Sequence, residues 1–187
     1  MSARKQAVLD AIDAANGQDP NQEDGQPAAL LYGQRMSAEL NRLFPDASDS
    51  LQIAARGQHV ERWKLARSEY PEGRAGYLAW RKAQGVHHAD VVMGLMEQTG
   101  YSADEAEAAG RMLRKQGIKR DDEVQALEDV ICFVFLKWYF VPFAAKHSAE
   151  KIQRIVEKTA RKMSADGRSR VLSEFNLPEH LAEAFQG

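Results

Sequence analysis

The longest apolar run of the chain, VICFVFLKWYFVPFAA at residues 130–145, constrains the fold more than any other feature. It contains Lys137 and Pro142, and it is shorter than the roughly 20 residues that a helix needs to cross a bilayer. Two carboxylates, those of Glu128 and Asp129, directly precede it. The run therefore predicts the central buried helix of a soluble protein with no membrane span, with acidic groups at the edge of its core.

Apolar residues recur at spacings of three and four along almost the whole chain, which is the pattern of amphipathic helices. No segment shows the sustained alternation of a half-buried strand. A polar loop is expected at 16–27 and a Pro/Gly loop at 68–76. The pattern predicts one compact all-α domain over residues 1–187, with helices near 3–16, 28–44, 50–66, 75–98, 103–116, 122–145, 149–164 and 168–174 and a short one after Pro178.

The composition excludes some classes of function. With 44% hydrophobic residues, 28% charged residues and a net charge of −2, the chain is globular and lacks the strong positive charge of most nucleic-acid-binding proteins. Its one cysteine, Cys132, has no partner for a disulfide, and no signal-peptide pattern is seen, so we expect a cytoplasmic location. The sequence leaves the oligomeric state open, and a homo-oligomer is compatible with it.

Positive charge and aromatic rings concentrate in residues 56–82, which contain five arginines and two lysines against three glutamates. Such a segment attracts anions, and the planar fork of arginine matches phosphate and carboxylate groups. The alternative is a charged surface balanced by its own glutamates. The sequence predicts an anion site whose candidate ligand-binding residues are Arg62, Trp63, Arg67, Tyr70, Arg74, Tyr77 and Arg81.

The helix predicted at 75–98 carries part of this site. Arg74, Arg81 and His88 recur every seven residues, so Arg81 and His88 project from nearly the same side of the helix. Apolar residues at these positions would belong to the core. Cations and an imidazole there indicate a polar pocket.

Glu128 and Asp129 form a second candidate site, because an unpaired carboxylate beside an apolar run is costly. Each must be hydrogen-bonded, paired with a cation such as Arg62 or Arg81, or bound to a metal ion. A catalytic role for the two carboxylates follows from the last alternative. A buried ion pair is the structural alternative.

His59, His88 and Asp129 come from three different predicted helices. Imidazole nitrogens and carboxylate oxygens are the ligands that divalent metals such as Zn²⁺ and Mn²⁺ take in proteins. A divalent metal there would polarise a phosphoryl oxygen or activate water, while the arginines hold the phosphate. We therefore predict His59, His88 and Asp129 as metal ligands and a small phosphorylated or anionic compound as the ligand.

Three motifs resemble a known family. QHVERWKLARSEYPEGRAGYLAWR, VQALEDVICFVFLKWYF and KTARKMS are similar to motifs of an all-helical family catalogued as a domain of unknown function, whose members are sometimes labelled glutamyl-tRNA synthetase. The resemblance covers about residues 3–175. Synthetase activity is not expected, because the sequence has no nucleotide-binding α/β pattern and no HIGH- or KMSKS-like pair.

The order of His59, His88 and Asp129 also resembles the H…HD…D pattern of the HD superfamily of metal-dependent phosphohydrolases. This resemblance implies an HD-like helical arrangement in which the three residues bind the metal. Ala89 stands where that superfamily has the aspartate that follows the second histidine. Either Glu128 supplies the fourth ligand, or the fold has lost the metal and kept an anion pocket.

Three functions remain open at this point. The first is an HD-like metal-dependent hydrolase that acts on a small phosphorylated or anionic metabolite. The second is a non-catalytic helical module that binds an anionic ligand through the same arginines. The third is an interaction protein in which residues 56–82 dock an acidic protein partner.

Overall fold

The computed structural model describes residues 2–187 and confirms the all-α class. A π-helix, Phe135–Tyr139, and three short 3₁₀ helices, Arg62–Lys64, Arg67–Glu69 and Glu183–Phe185, accompany the α-helices. The described range contains ten α-helices: α1 (Ala3–Asn16), α2 (Ala28–Leu43), α3 (Asp49–Arg56), α4 (Gly73–Gln98), α5 (Ala103–Leu113), α6 (Asp122–Val134), α7 (Phe140–Ala144), α8 (Ala149–Lys162), α9 (Ala165–Glu174) and α10 (Glu179–Ala182).

A small hairpin interrupts the predicted polar loop. β1 (Gln22–Glu23) and β2 (Gln26–Pro27) pair antiparallel around Asp24 and Gly25, whose φ angles are 50° and 75°. Asp-Gly is a preferred sequence where two consecutive turn residues need positive φ. Strands of two residues are too short to show an alternating pattern, which is why the apolar spacing did not predict them.

Side-chain caps set several helix starts. Ser102 accepts a hydrogen bond from the backbone N–H of Glu105, whose carboxylate accepts one from the N–H of Ser102 in return. This reciprocal pair is a capping box at the start of α5. Ser164 caps α9 by accepting from the N–H of Gly167 at 2.9 Å. The serines supply partners for N–H groups that a helix leaves open at its first turn.

The third predicted helix is shorter than its sequence pattern indicates. α3 ends at Arg56, so the predicted continuation to about residue 66 is wrong. Glu61 adopts a left-handed backbone conformation with φ 53°, which no α-helix accommodates. Asn16 stabilises this conformation, because its Oδ1 accepts a hydrogen bond from the Glu61 N–H at 3.0 Å. Residues 57–72 therefore run as turns and 3₁₀ helices.

The apolar run continues α6 through the π-helix into α7. Leu127, Val130, Phe133 and Val134 are at most 1% exposed, as expected for a buried helix. The later part of the run differs from the prediction, because Val141 in α7 is 74% exposed. Burial therefore extends beyond α6 to Leu136 and Phe140, which are 5% and 8% exposed, but not over the whole run.

The chain forms two compact units, one ending at Gly117 and the other comprising Ile118–Gly187. In the first, α4 packs on α5, and α3 packs on both α2 and α5. In the second, α6 packs on α8. Organisation as one domain stays a prediction. None of the helices in residues 2–187 has the length and apolar character to span a bilayer.

Candidate anion-binding site

A cavity of about 280 Å³ lies within the first unit. Its walls come from residues 58–62, from the middle of α4 and from the chain around the end of α5. This volume is just below the range of metabolite sites, roughly 300–1,000 Å³. Within the described part of the chain no carboxylate lines the cavity, whereas five cationic residues do: Arg62, Arg81, Lys82, Arg114 and Lys115.

Hydrogen bonds from α4 fix the backbone that carries Arg62. The Gln84 Nε2 donates to the carbonyl oxygens of Arg62 at 2.9 Å and Leu65 at 3.0 Å. The Trp80 indole N–H also donates to the Leu65 carbonyl, at 2.9 Å. These bonds supply partners for carbonyl groups that a 3₁₀ turn leaves open, and they hold the turn beside α4.

Arg62 is a half-buried cation whose guanidinium lies 4.7 Å from the centroid of the Trp80 ring. Burial lowers the pKa of Arg62, and the charge of Arg81 lowers it further. Among residues 2–187 no carboxylate lies within ion-pair distance of Arg62 or Arg81. Since removal of a cation from water is costly without a counter-ion, Arg62 is suited to receive an anion.

The carboxylates close to this region have other partners. Glu61 pairs with Lys64, with 2.5 Å between oxygen and Nζ, and its other oxygen lies 3.5 Å from the His87 Nε2. Glu107 pairs with Arg114, one of the cations of the cavity wall. Neither carboxylate therefore supplies the counter-ion that the half-buried arginine lacks.

His88 is buried in α4, and its Nδ1 lies 2.8 Å from the Val60 carbonyl oxygen. A carbonyl can only accept, so Nδ1 carries the ring proton and Nε2 presents a lone pair. Burial lowers the pKa of His88 to about 3; the bond to Val60 opposes this shift and the charge of Arg62 adds to it. The ring is therefore neutral at pH 7, with an acceptor at Nε2.

His59 stacks on Tyr32, with ring centroids 3.7 Å apart and planes inclined by 13°. Burial lowers the pKa of His59 well below its usual value, and the charge of Arg62 contributes further. The His59 and His88 ring centroids are 6.1 Å apart. Both histidines line the cavity as neutral groups, so its positive charge comes from arginine and lysine.

The structure brings together four of the predicted site residues: His59, Arg62, Arg81 and His88 line one cavity. The other predicted ligand-binding residues are not part of its lining, and their role in binding stays a prediction. These are Trp63, Arg67, Tyr70, Arg74 and Tyr77.

Arg67 and Tyr77 have identifiable structural partners. Arg67 donates to the carbonyl oxygen of Tyr70 at 2.9 Å, which shapes the loop before α4. The hydroxyl of Tyr77 accepts from Arg81 at 3.2 Å and so positions a cation of the cavity wall. Arg74 is exposed in the first turn of α4.

The sequence did not single out two glutamines of the cavity wall, Gln58 and Gln84. Gln84 had a usable signal, because it stands three residues after Arg81 and four before His88, on the same face of one helix. Gln58 had none apart from its position beside His59.

Asp129 lies in the second unit and is 3% exposed. Its Oδ1 accepts from the Ser164 N–H at 2.8 Å and from the Gln125 Nε2 at 3.0 Å, and its Oδ2 accepts from the Ser164 hydroxyl at 2.5 Å. Glu128 lies 3.6 Å from the Lys162 Nζ. Hydrogen bonding thus meets the requirement that the sequence placed on the Asp129 carboxylate.

The predicted metal ligands are divided between the units, His59 and His88 in the first and Asp129 in the second. In residues 2–187 no group of three or more His, Cys, Asp or Glu side chains is arranged to hold a metal ion. The divalent metal, and with it the catalytic roles of Glu128 and Asp129, stays a prediction from the sequence.

Comparison with known proteins supports one relationship. No curated protein and no solved structure matches the chain. Residues 6–184 match a family model described as "Domain of unknown function (DUF4202)". This match spans nearly the whole chain and confirms the resemblance to a domain-of-unknown-function family, whereas the resemblance to the HD superfamily stays a prediction. The chain belongs to the DUF4202 family.

Proposed function

We propose that this protein binds a small anionic metabolite in the cavity of its first unit. The observation that supports this most directly is the state of Arg62. It is half-buried, it lines the cavity, and it forms no ion pair with a carboxylate in residues 2–187. A phosphate or carboxylate group bound there would accept charge-assisted hydrogen bonds from the guanidinium and offset the cost of its burial. This corresponds to the helical binding module among the functions that the sequence left open.

The other groups of the cavity support an anion of small size. Arg81 contributes a second cation, and its charge disfavours the charged form of Arg62. An anion that contacts both guanidinium groups would relieve this repulsion. The volume of about 280 Å³ favours a compact metabolite over a nucleotide or a peptide.

The decisive experiment is isothermal titration calorimetry at low ionic strength with inorganic phosphate and citrate as probes. We expect saturable binding of at least one probe by the wild-type protein. Arg62→Met should weaken it about 10- to 100-fold, since a hydrogen bond to a charged group is worth roughly 1.5–3 kcal/mol. The apolar stem of methionine can still pack on Trp80, which protects the fold.

Arg74→Met is the matched control, because it removes the same charge from an exposed position outside the cavity wall. We expect it to change the affinity less than about twofold, as for other exposed and screened charges. Equal weakening by Arg62→Met and Arg74→Met would indicate non-specific attraction to surface charge. Absence of binding of both probes to the wild-type protein would refute the proposal.

An activity assay separates the binding module from the hydrolase. Turnover of p-nitrophenyl phosphate that requires Mn²⁺ or Zn²⁺ and is lost in His88→Ala would favour the metal-dependent hydrolase. Binding of phosphate without metal and without turnover would favour the module.

A further inference from the structure

The cavity has a second chemical property that the arginines do not explain. Three buried acceptor atoms of its lining residues have no hydrogen-bond partner in residues 2–187: Gln58 Oε1, Gln84 Oε1 and His88 Nε2. The three residues are 6%, 2% and 2% exposed. Buried polar atoms nearly always have a partner, and each one without a partner costs roughly 1–3 kcal/mol. These atoms therefore point to a ligand that donates hydrogen bonds.

The chain itself fixes two of the three groups as acceptors. The Gln84 Nε2 already donates to the carbonyl oxygens of Arg62 and Leu65, so its amide cannot turn round without loss of two hydrogen bonds. The Val60 carbonyl holds the proton of His88 on Nδ1, which leaves Nε2 as an acceptor. Gln84 and His88 stand one turn apart on α4, so their lone pairs belong to the same face of the helix.

Neither a bare phosphate dianion nor a bare carboxylate satisfies these atoms. Both offer only acceptor oxygens, which would face the lone pairs on Gln84 and His88 without a hydrogen bond. An ammonium group would donate, but it would lie near Arg62 and Arg81 and be repelled by them. A hydroxyl group donates a hydrogen bond and carries no charge. It can therefore bind the acceptors without being repelled by the arginines.

We propose that the ligand of this cavity is a small organic phosphate or carboxylate that also bears hydroxyl groups. Its anionic group contacts Arg62 and Arg81, and its hydroxyls donate to the buried acceptors of Gln58, Gln84 and His88. This inference rests on the proposed anion site and narrows its ligand to a class: phosphorylated or acidic polyols and sugars.

The test compares two probes of equal charge, glycerol 3-phosphate and n-propyl phosphate, by isothermal titration calorimetry. They differ in two hydroxyl groups. We expect the wild-type protein to bind glycerol 3-phosphate about tenfold more tightly or better, because two net hydrogen bonds of ~1 kcal/mol each correspond to roughly 30-fold.

Two variants assign the preference to the acceptors. In His88→Asn the amide can still donate to the Val60 carbonyl, whereas the acceptor at the position of Nε2 is lost. We expect it to weaken glycerol 3-phosphate about five- to tenfold and to leave n-propyl phosphate within twofold. Gln58→Met keeps the length of the side chain without its amide and tests the third acceptor. It replaces His88→Asn if circular dichroism shows that His88→Asn does not fold.

The outcomes separate this inference from the proposed function. Equal affinity of the wild-type protein for the two phosphates would overturn the hydroxyl preference and leave the anion site in place. A preference that neither variant reduces would overturn its assignment to these acceptors. If the wild-type protein binds neither phosphate, both the hydroxyl preference and the proposed anion site are refuted. Arg62→Met should weaken both probes by the same factor.

Discussion

Asp129 in the second unit and Arg62 in the first are both charged groups withdrawn from water, and the fold treats them differently. The carboxylate of Asp129 accepts three hydrogen bonds from Ser164 and Gln125. The guanidinium of Arg62 has the Trp80 ring on one side and no ion-paired carboxylate in residues 2–187. The chain supplies hydrogen-bond partners for the Asp129 carboxylate, whereas it supplies no carboxylate counter-ion for the Arg62 guanidinium in residues 2–187.

This difference separates a charge that serves the fold from one that, under the proposed function, serves binding. The free energy spent on removing Asp129 from water is recovered within the fold, at the start of α9. For Arg62 it is not recovered by an ion pair in the described chain, so a ligand that supplies an anion gains affinity. Burial of a charge alone does not distinguish the two cases. The hydrogen-bond and ion-pair partners of the charged group do.

The largest expected effect is that of Asp129→Ala. It removes the acceptor for the Ser164 N–H and hydroxyl and for Gln125, and these half-buried donors lose the partner that the carboxylate supplied. We expect the free energy of unfolding to fall by about 3 kcal/mol or more, measured by urea denaturation. Asp166→Ala, which removes an exposed carboxylate from the first turn of α9, should cost less than about 1 kcal/mol. If Asp129→Ala also lowered the free energy of unfolding by less than about 1 kcal/mol, a structural role for Asp129 would be contradicted.

The sequence predicted that the Asp129 carboxylate needs a partner, but it did not predict which one. The rule that an unpaired carboxylate beside an apolar run is costly depends only on neighbours in the chain. The main partner, Ser164, stands 35 residues away, at a helix start that the pattern placed at about residue 168. Identification of partners requires the packing of helices, which one sequence does not supply.

The candidate site shows the same limit. Residue type and heptad spacing identified Arg81 and His88, because both lie on one regular helix. Between α3 and α4 such spacing gives no guide, since it indicates a shared face only where the backbone is helical. Glu61 is left-handed, so the side chains that follow it do not continue the face of α3. Of the predicted binding residues that follow it, Arg62 lines the cavity, whereas Trp63 and Arg67 lie outside its wall.

Asn16→Ala tests the backbone anchor of the cavity and has the next largest expected effect. Asn16 is fully buried, and its Oδ1 accepts from the N–H of Glu61, next to Arg62. Loss of this acceptor leaves a half-buried N–H without its partner, so we expect the free energy of unfolding in urea to fall by about 2 kcal/mol. The affinity for phosphate should fall as well. Asn41→Ala, an exposed change in α2, should alter neither quantity.

The histidines make stability depend on pH. In the folded protein the pKa of His88 is about 3, below the usual 6.5 of the unfolded chain, so the unfolded chain binds more protons between these values. The free energy of unfolding should therefore decrease as pH falls from about 6.5 towards 3, by up to about 1.4 kcal/mol per pH unit for this group. The pKa of His59 is lowered in the same direction and adds to the effect.

Urea denaturation at pH 7 and at pH 5.5 measures this slope, and His88→Asn should show a smaller one because it lacks the titrating ring. Identical slopes for the two proteins would contradict a neutral, buried His88. Saturating phosphate should also reduce the slope in the wild-type protein. A bound anion near Arg62 would favour the protonated imidazole and raise the pKa of His88 in the folded state.

Trp80→Phe has the smallest expected effect and sharpens the contrast between charge and scaffold. The indole N–H donates to the Leu65 carbonyl, but this carbonyl keeps a second donor in Gln84, so unfolding in urea should become only ~1 kcal/mol easier. Phenylalanine attracts a cation less than tryptophan does, so Arg62 becomes less firmly placed. Its charge stays in the cavity, and the affinity for phosphate should therefore fall less than about threefold, well short of the loss in Arg62→Met.

Trp63→Phe is the control, since Trp63 does not line the cavity. If Trp80→Phe weakened phosphate as much as Arg62→Met does, the position of the guanidinium would matter as much as its charge.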